Sequence, residues 1–416
     1  MKAVICGGGI AGLALARCLG DAGWDVVVLE KAPALRTQGY MIDFFGPGYT
    51  AAEELGLLPR LQELGYAVNE LRYVDEDGRR RAGMTYATLG RAIGGRLISI
   101  MRPDLERALY ESLPAGVDVR FGTTVTAVGG HASSDTGGAT VTLNDGTHLD
   151  ADVVVGADGV HSAVRRLAFN DANHESDANH ANHANHANRE NDKRYVRHLG
   201  FHTAAFVFED PEIHAACRDS FVLTDTVDRQ MGFYSLRDGR VAAFAVHRTA
   251  DPGLPGDPRK ALREEYGGLG WVVPQALRAC PPGDEVYYDQ VAQTEVPCWS
   301  RGRVTLVGDA CYAVSLLAGQ GASLGLAGAR LLAEQLSEAP STATALRRYE
   351  EQWRPVVTEK QQAARKGVRW FLPHSQNELR ARRLALRAAR LPGAGRYLAS
   401  ALTGSSRGFF GKMHAP

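Results

Sequence analysis

The sequence lacks a net charge and lacks long apolar runs. Among its 416 residues, Lys and Arg number 47, and Asp and Glu also number 47. This balance excludes a protein that coats nucleic acid, and the 44% share of hydrophobic residues excludes an intrinsically disordered chain. No stretch approaches the roughly 18 uninterrupted apolar residues that a membrane-spanning helix needs. We therefore expect a globular protein, monomeric or homodimeric, that acts on a small molecule and binds neither nucleic acid nor membrane.

Cysteines are few and widely separated. The six include no Cys-x-x-Cys pair and no short-spaced framework, a pattern that suits a reducing cytoplasm and predicts no metal site. Near the N-terminus, Lys2 and the apolar residues after it superficially resemble a secretory signal peptide. The glycines at 7–9 interrupt that run, however, and a second patterned segment follows it. We therefore expect a cytoplasmic protein.

The first 30 residues carry a dinucleotide-binding pattern. Residues 2–6 predict a short buried strand, which is followed directly by the run Gly7-Gly8-Gly9-Ile10-Ala11-Gly12. Apolar residues at helical spacing come next, and residues 25–30 predict a second strand that ends in an acid, Glu30. The order of strand, G-x-G-x-x-G, helix, strand and acid is far more specific than the glycine motif alone.

Each part of this pattern has a physical task in binding a dinucleotide. Gly7 permits a tight turn, Gly9 lets the backbone approach a pyrophosphate, and Gly12 allows the helix to pack closely on the strand. The start of the helix presents N–H groups and a partial positive charge to the phosphates. Glu30 lies 18 residues beyond Gly12, where a carboxylate can accept hydrogen bonds from both hydroxyls of an adenosine ribose and disfavours a 2′-phosphate. The pattern therefore predicts FAD or NAD.

Two further segments favour FAD over NAD. Residues 151–166 predict a buried strand that leads into Asp158-Gly159, and residues 302–336 predict another that leads into Gly308-Asp309. The second segment continues with Gly319-Gln320-Gly321 and a helix. An acid at a strand end can hold the hydroxyls of a ribityl chain, and a helix that starts at glycine can direct N–H groups at the flavin pyrimidine edge. Nicotinamide cofactors have no ribityl chain to hold.

Together these motifs resemble those of the class A FAD-dependent monooxygenases, which have the para-hydroxybenzoate hydroxylase fold. The similarity is greatest to the tetracycline-inactivating monooxygenases and the aromatic polyketide hydroxylases. Residues 39–48 resemble their flavin-contacting loop, and residues 98–105 resemble the segment that carries their Arg-x-x-Leu motif. The resemblance covers nearly the whole chain and is weakest at residues 169–193.

The resemblance implies an α/β fold in which a Rossmann-type FAD-binding domain is interleaved with an antiparallel β-sheet substrate domain and followed by C-terminal helices. The implied FAD-binding domain is discontinuous and comprises residues 1–70, 98–168 and 284–340. The implied substrate-binding domain comprises residues 71–97 and 194–283. The remaining parts are a low-complexity insert at 169–193 and a C-terminal helical region at 341–416.

The resemblance also implies individual cofactor contacts. Glu30 binds the adenosine ribose, Arg102 lies along the FAD, and Asp309 holds the ribityl chain. Asp43 lies near the isoalloxazine, and Arg36 falls where some relatives contact a nicotinamide nucleotide. For both arginines the alternative is a solvated surface position. The full set of predicted cofactor-binding residues is Gly7, Gly9, Ile10, Ala11, Gly12, Glu30, Lys31, Arg36, Asp43, Arg102, Val125, Asp158, Asp309, Gly319, Gly321 and Ala322.

One segment departs from the family pattern. Family members commonly read Gly-Asp-Ala-Ala-His and then have a proline before Gly-Gly-Gln-Gly. Here Ala310 is followed by Cys311 and Tyr312. In addition, Leu316 replaces the proline and Ala318 replaces a glycine. Loss of the proline removes a fixed φ and a rigid wall near the flavin, which affects the geometry of peroxide formation more than FAD binding.

In the middle of the chain, apolar and polar residues alternate as in antiparallel strands, and the strand–helix–strand order of the earlier segments is not continued. Residues 195–210, 219–236 and 240–248 predict an antiparallel sheet. The resemblance implies that this sheet roofs the flavin, and its many aromatics and few charges predict a bulky, largely apolar, aromatic or polycyclic substrate. For any single aromatic, core packing is the alternative. The candidates for a catalytic base, among which the sequence makes no selection, are Tyr234, His202 and His247.

A low-complexity repeat occupies residues 171–192. Its His180, His183 and His186 recur every three residues, which would form a metal-binding face if the segment were helical. Asn and Asp disfavour helix interiors, and no cysteine or carboxylate continues the spacing. We therefore interpret the repeat as a disordered surface loop without function.

The C-terminal quarter of the chain has helical spacing. The predicted helices are residues 345–362, 379–389 and 396–402. The second carries a basic stripe that includes Arg380, Arg382 and Arg383, which we interpret as a solvated or acid-paired face.

The resemblance implies an NAD(P)H-consuming hydroxylase. NADPH or NADH would reduce FAD, O2 would add at the flavin 4a position, and the distal peroxide oxygen would pass to an electron-rich carbon of the substrate. Three alternatives stay open: a flavin oxidase or dehydrogenase of the same fold, a flavin halogenase, and a non-catalytic flavin-binding or metal-buffering protein. The sequence has no Trp-x-Trp-x-Ile-Pro segment, which disfavours the halogenase.

Overall fold

The computed structural model divides into two compact units. The residues that it describes are 1–130, 138–169, 194–315 and 319–388. The first unit comprises Met1–Gly65, Ile100–Leu199 and Val291–Gln361. The second unit comprises Tyr66–Ser99, Gly200–Gln290 and the chain from Gln362 onward. Successive parts of the chain therefore alternate between the units.

A six-stranded sheet forms the centre of the first unit. In spatial order its strands are Ser300–Arg301, Val304–Leu306, Val153–Gly156, Lys2–Cys6, Asp25–Glu30 and Val117–Phe121. Every neighbouring pair is parallel except the first. The central strands are apolar and buried along almost their whole length, as expected for parallel strands covered on both faces. The strands predicted at 2–6 and 25–30 are confirmed.

Helices and a small antiparallel sheet complete the first unit. The helices are Ile10–Asp21, Pro47–Glu54, Leu58–Leu64, Arg102–Glu111, Ala163–Ala168, Asp309–Tyr312 and Gly321–Glu338. The strands of the small sheet are His148–Ala151, Ala139–Leu143 and Val125–Gly129. The first and last helices pack against each other through small residues. A Cβ added at Gly325 would lie 3.5 Å from the Cβ of Ala11, so the two helices approach closely there.

A seven-stranded sheet forms the second unit, and the unit boundaries fall within its first two strands. In spatial order the strands are Tyr287–Thr294, Val196–Glu209, Arg240–Arg248, Arg229–Ser235, Ser220–Thr226, Glu70–Val74 and Arg80–Thr85. The strands predicted at 195–210 and 240–248 are confirmed. The region 219–236 is a hairpin of two strands, because Asp228 adopts a φ of +63° and reverses the chain.

Helices pack on both faces of this sheet. On one face, Phe206, Met231 and Phe233 pack against Leu262 and Tyr266 in a buried apolar cluster. On the other face, Leu223 packs with Leu386 of helix Gln376–Ala388 in a second cluster. The helices of the second unit are Tyr86–Ala92, Pro211–Ala216, Pro258–Tyr266, Val273–Arg278 and Gln376–Ala388. The remaining elements are a 3-10 turn at Gly283–Glu285 and the strands Met41–Phe45 and Leu97–Met101.

Two of the three helices predicted in the C-terminal quarter are confirmed. Helix Thr342–Phe371 begins in a segment of the first unit and ends in one of the second, and helix Gln376–Ala388 follows it. The helix predicted at 396–402 lies outside the described residues. Within the described residues, no helix is both long enough and apolar enough to cross a membrane.

A buried ion pair attaches helix Gln376–Ala388 to the sheet of the second unit. Arg382 is 2% exposed and pairs with Asp225, which also pairs with Arg383 at 2.7 Å. Arg382 donates a further hydrogen bond to the Phe371 carbonyl at 2.7 Å. The predicted basic stripe is therefore acid-paired at two positions, and the charge on Asp225 has two partners inside the protein.

We predict that Arg382→Ala lowers the free energy of unfolding by about 3 kcal/mol, because it leaves a buried carboxylate with only one of its two partners. Arg380→Ala serves as the control, since Arg380 lies on the same helix and is exposed. This control should change the free energy by less than about 0.5 kcal/mol. Urea unfolding followed by circular dichroism measures both, and equal losses in the two variants would contradict the role given to the pair.

Candidate functional site

A cleft lies at the carboxyl ends of the parallel strands in the first unit. Residues at or directly after the carboxyl ends of four of these strands line it, namely Gly7, Glu30, Phe121 and Ala157. The cavity has a volume of about 250 Å³. Carboxyl ends of parallel strands meet at one edge of a sheet, and ligands of open α/β sheets bind at such edges.

The glycine turn brings bare backbone to the floor of the cleft. Gly7 has a φ of +116°, and a Cβ added there would lie 2.4 Å from the Ala157 carbonyl oxygen. A Cβ added at Gly12 would lie only 1.9 Å from the Gly7 carbonyl oxygen. Helix Ile10–Asp21 starts from Gly9 without a side-chain cap. The positive end of that helix dipole is therefore directed into the cleft with little side-chain cover.

The carboxylate of Glu30 is held rigidly at the end of its strand. It is 7% exposed and accepts hydrogen bonds from the N–H groups of Gly8 at 2.7 Å and Ala32 at 2.9 Å. Arg36, which is about half exposed, lies 3.7 Å from it. A carboxylate has about four lone-pair positions, so two backbone bonds leave room for ribose hydroxyls.

An ion pair between Arg102 and Glu106 forms one wall of the cleft. The Arg102 Nη2 and Glu106 Oε1 atoms are 2.7 Å apart, one turn along helix Arg102–Glu111. Glu106 is 3% exposed, and a Cβ added at Gly9 would lie 3.4 Å from its Oε1 atom. Burial raises the pKa of Glu106, while the charges of Arg102 and Arg36 act in the opposite direction.

Asp158 lies on the cleft, but its carboxylate caps a helix. It accepts the N–H groups of Ala163 at 2.6 Å and Val164 at 3.1 Å, and the Ser162 hydroxyl also donates to it. Arg165, which is fully buried, donates to the carbonyls of Val160 and Ala310. The Asp158-Gly159 segment is thereby connected to the Gly308-Asp309 segment.

The Gly308-Asp309 segment meets the starts of two helices. A Cβ added at Gly308, which has a φ of +68°, would lie 2.8 Å from the Cβ of Ala11. A Cβ added at Gly321 would lie 3.7 Å from Asp309 Oδ1. Gly321 begins an 18-residue helix whose N-cap residue, Gln320, makes no side-chain capping hydrogen bond. The Asp309 carboxylate therefore stands at the positive end of a long helix dipole.

The predicted cofactor residues fall into three groups. Those that line the cleft are Gly7, Gly9, Glu30, Lys31, Arg36, Arg102, Val125 and Asp158. Those at the start of helix Ile10–Asp21 or in the Gly308-Asp309 region are Ile10, Ala11, Gly12, Asp309, Gly319, Gly321 and Ala322. Asp43 is half-buried in strand Met41–Phe45, whose Phe45 carbonyl accepts a hydrogen bond from Ser323 in the first turn of helix Gly321–Glu338. Sequence reasoning missed Glu106, although its i,i+4 spacing from Arg102 on a helix was a readable signal.

The three candidate bases do not lie together at one site. His247 donates to or accepts from the Tyr266 hydroxyl at 2.9 Å, in the core beneath the helices, and burial lowers its pKa to about 4. The rings of His202 and His247 are 5.6 Å apart. Tyr234 instead stacks on Phe221, with ring centroids 3.9 Å apart. Strand alternation puts Tyr234 on the face opposite to the core residue Phe233 beside it.

Several sequence predictions lie outside the described residues. These are the substituted positions Leu316 and Ala318 and the repeat with His180, His183 and His186. In the ranges that the structure does describe, no group of three or more His, Cys, Asp or Glu side chains is arranged to hold a metal ion.

Known proteins that are similar to this chain include FAD-dependent and FAD-bound proteins. The chain is 28% identical over 396 residues to an FAD-dependent monooxygenase of Sarocladium schorii, covering 89% of this chain and 88% of that protein. Its fold is similar to the crystal structure of the tetracycline destructase Tet(51), with a TM-score of 0.75, 23% identity and coverage of 98% and 99%. Klebsiella pneumoniae HpxO complexed with FAD and uric acid superposes with a TM-score of 0.76, 23% identity and coverage of 98% of each chain.

We predict that Gly12→Ala destabilises the first unit by about 3 kcal/mol, because its methyl group would overlap the Gly7 carbonyl and push the helix off the strand. Gly116→Ala is the matched control, since a Cβ at Gly116 meets no atom within 4 Å. Thermal unfolding followed by circular dichroism distinguishes the two. Equal unfolding temperatures for Gly12→Ala and the unchanged protein would refute the close approach.

The family model described as an FAD binding domain matches residues 1–364 of this chain. That match, the named relatives and the mixed α/β architecture agree with the predicted family and fold class, which are confirmed. The chain belongs to the FAD binding domain family and is an FAD-dependent monooxygenase with the para-hydroxybenzoate hydroxylase fold.

Proposed function

We propose that this protein is an NAD(P)H-consuming hydroxylase that inserts one oxygen atom from O2 into a bulky aromatic or polycyclic small molecule. The observation that carries the proposal is the combination, in the first unit, of a bare glycine turn with acids at the ends of its strands. FAD, when bound, supplies the redox chemistry: it takes up reducing equivalents from NAD(P)H and activates O2.

The cleft residues fit the adenosine and pyrophosphate parts of FAD. Glu30 would hold the ribose hydroxyls, since its carboxylate is fixed by two backbone N–H groups and keeps acceptor capacity. Gly7 and Gly9 leave no side chain between backbone and phosphate, and Arg102 supplies a guanidinium at the same wall. Arg36 stands beside Glu30, close enough to meet the nucleotide.

The Gly308-Asp309 region fits the ribityl and isoalloxazine parts. The Asp309 carboxylate would hold ribityl hydroxyls, and the uncapped start of helix Gly321–Glu338 would favour negative charge at the flavin pyrimidine edge. Asp43 would approach the isoalloxazine. On this proposal the first unit binds FAD, which agrees in outline with the expected segments 1–70, 98–168 and 284–340.

The second unit, in outline the expected segments 71–97 and 194–283, would bind the substrate. Its sheet carries the parallel stack of Phe221 on Tyr234, inclined by only 4°, which suits a flat apolar ring system. The names of the structural neighbours support a ring substrate, since one is a tetracycline destructase and another was crystallised with uric acid. The task of the protein in this reaction is to orient the substrate and exclude water.

Anaerobic mixing tests the reductant. NADPH or NADH alone should remove the absorbance of oxidised flavin, whereas an aromatic substrate alone should leave it unchanged. The opposite pattern would favour the second candidate function, a flavin oxidase or dehydrogenase of the same fold. Under an atmosphere in which 18O2 replaces ordinary O2, a hydroxylated product should carry one labelled oxygen atom. Stoichiometric release of hydrogen peroxide with every bulky aromatic tried would contradict hydroxylation.

We predict that Glu30→Gln raises the dissociation constant for FAD by about 10- to 100-fold, because the charge-assisted hydrogen bonds to the ribose are lost. Glu338→Gln is the control, since Glu338 belongs to the same unit and is exposed. Titration of deflavinated protein with FAD, followed by flavin fluorescence, measures both constants. Unchanged affinity in Glu30→Gln would show that the adenosine half binds elsewhere.

A further inference from the structure

The Glu106 carboxylate occupies an unusual position for an acid in this cleft. It is 3% exposed and lies beside the glycine turn at the start of helix Ile10–Asp21. A Cβ added at Gly9 would lie 3.4 Å from Glu106 Oε1. The first turn of helix Ile10–Asp21 contains no acid of its own, so Glu106 places a carboxylate beside that turn from a neighbouring helix.

Glu106 also controls the position of the nearest cation. Arg102 Nη2 lies 2.7 Å from Glu106 Oε1, and a Cβ added at Gly9 would lie 3.9 Å from the same nitrogen. The two side chains differ in exposure: that of Glu106 is 4% exposed and that of Arg102 is 26% exposed. The buried carboxylate therefore holds one edge of a guanidinium whose other part reaches the cleft.

We propose that Glu106 is a positioning residue for FAD, which holds the Arg102 guanidinium against the glycine turn where the pyrophosphate binds. Arginine has five N–H donors in a rigid fork, so one edge can bind a carboxylate while another binds phosphate oxygens. A long side chain held in this way loses less rotamer freedom when the ligand arrives. The inference rests on the proposed placement of FAD in this cleft.

The balance of charge explains why an acid is tolerated beside an anionic ligand. Glu30 and Glu106 are matched by Arg36 and Arg102 around the glycine turn. Without Glu106, the Arg102 side chain would lose the carboxylate that fixes one edge of its guanidinium. The gain from a fixed guanidinium offsets the repulsion between Glu106 and the phosphates, because that carboxylate is already neutralised by Arg102.

A double-mutant cycle in the deflavinated full-length protein tests this role. Glu106→Ala should weaken FAD binding about 10-fold, the loss expected for one charge-assisted hydrogen bond. In an Arg102→Ala background the same substitution should have no further effect, because the guanidinium that it positions is gone. Glu106→Gln, which keeps an acceptor for the guanidinium, should recover part of the affinity. ADP, used as a competing ligand, should show the same ratios of dissociation constants between the variants, since it retains the ribose and the pyrophosphate.

The outcomes separate this inference from the placement of FAD. Wild-type or tighter FAD binding by Glu106→Ala, or losses that simply add in the double variant, would overturn the positioning role. Unchanged FAD affinity in both Glu30→Gln and Arg102→Ala would overturn the placement of FAD and the inference with it. Should Glu106→Ala fail to fold, the cycle is run with Glu106→Gln, which is expected to weaken binding alone and to have no effect beside Arg102→Ala.

Discussion

The contact between Gly12 and the Gly7 carbonyl is the constraint on which the first unit depends. Only hydrogen fits there, because a Cβ would lie 1.9 Å from that oxygen. The contact holds helix Ile10–Asp21 close to strand Lys2–Cys6 and directs the positive end of its dipole at the edge of the sheet. A second close approach, between Gly308 and Ala11, brings the Asp309 segment to the same helix start. Bare backbone thus organises both halves of the proposed cofactor site.

Charges in the cleft are arranged in compensated pairs. Glu30 faces Arg36, and Glu106 faces Arg102, so each buried carboxylate has a guanidinium within 4 Å. Burial of an unpaired carboxylate would cost several kcal/mol, and a nearby guanidinium offsets part of that cost. The backbone adds support to Glu30, which accepts the N–H groups of Gly8 and Ala32. A site of this kind is preorganised before any ligand arrives, which lowers the cost of binding.

The two faces of the sheet in the second unit pack differently. The face that carries Phe233 packs against helices and forms a continuous apolar core, which also encloses His247 and Tyr266. The opposite face carries the stack of Phe221 on Tyr234 and a smaller cluster in which Leu223 packs with Leu386. His247, with its pKa lowered to about 4, stays neutral near pH 7 and is a core residue by position. Of the three candidate bases, Tyr234 alone lies on the face opposite to the core.

Local sequence determined the parallel strands, the glycine turn and the acid at position 30, because each depends on residues within about 30 positions of one another. The spacing of apolar residues also identified several strands of both large sheets and two C-terminal helices. Tertiary structure decided the rest. Asp158 could serve a ribityl chain or a helix cap, and only the fold shows its carboxylate accepting the N–H groups of Ala163 and Val164. Glu106 reaches the glycine turn through packing of segments about 100 residues apart in sequence, a contact that no local pattern encodes.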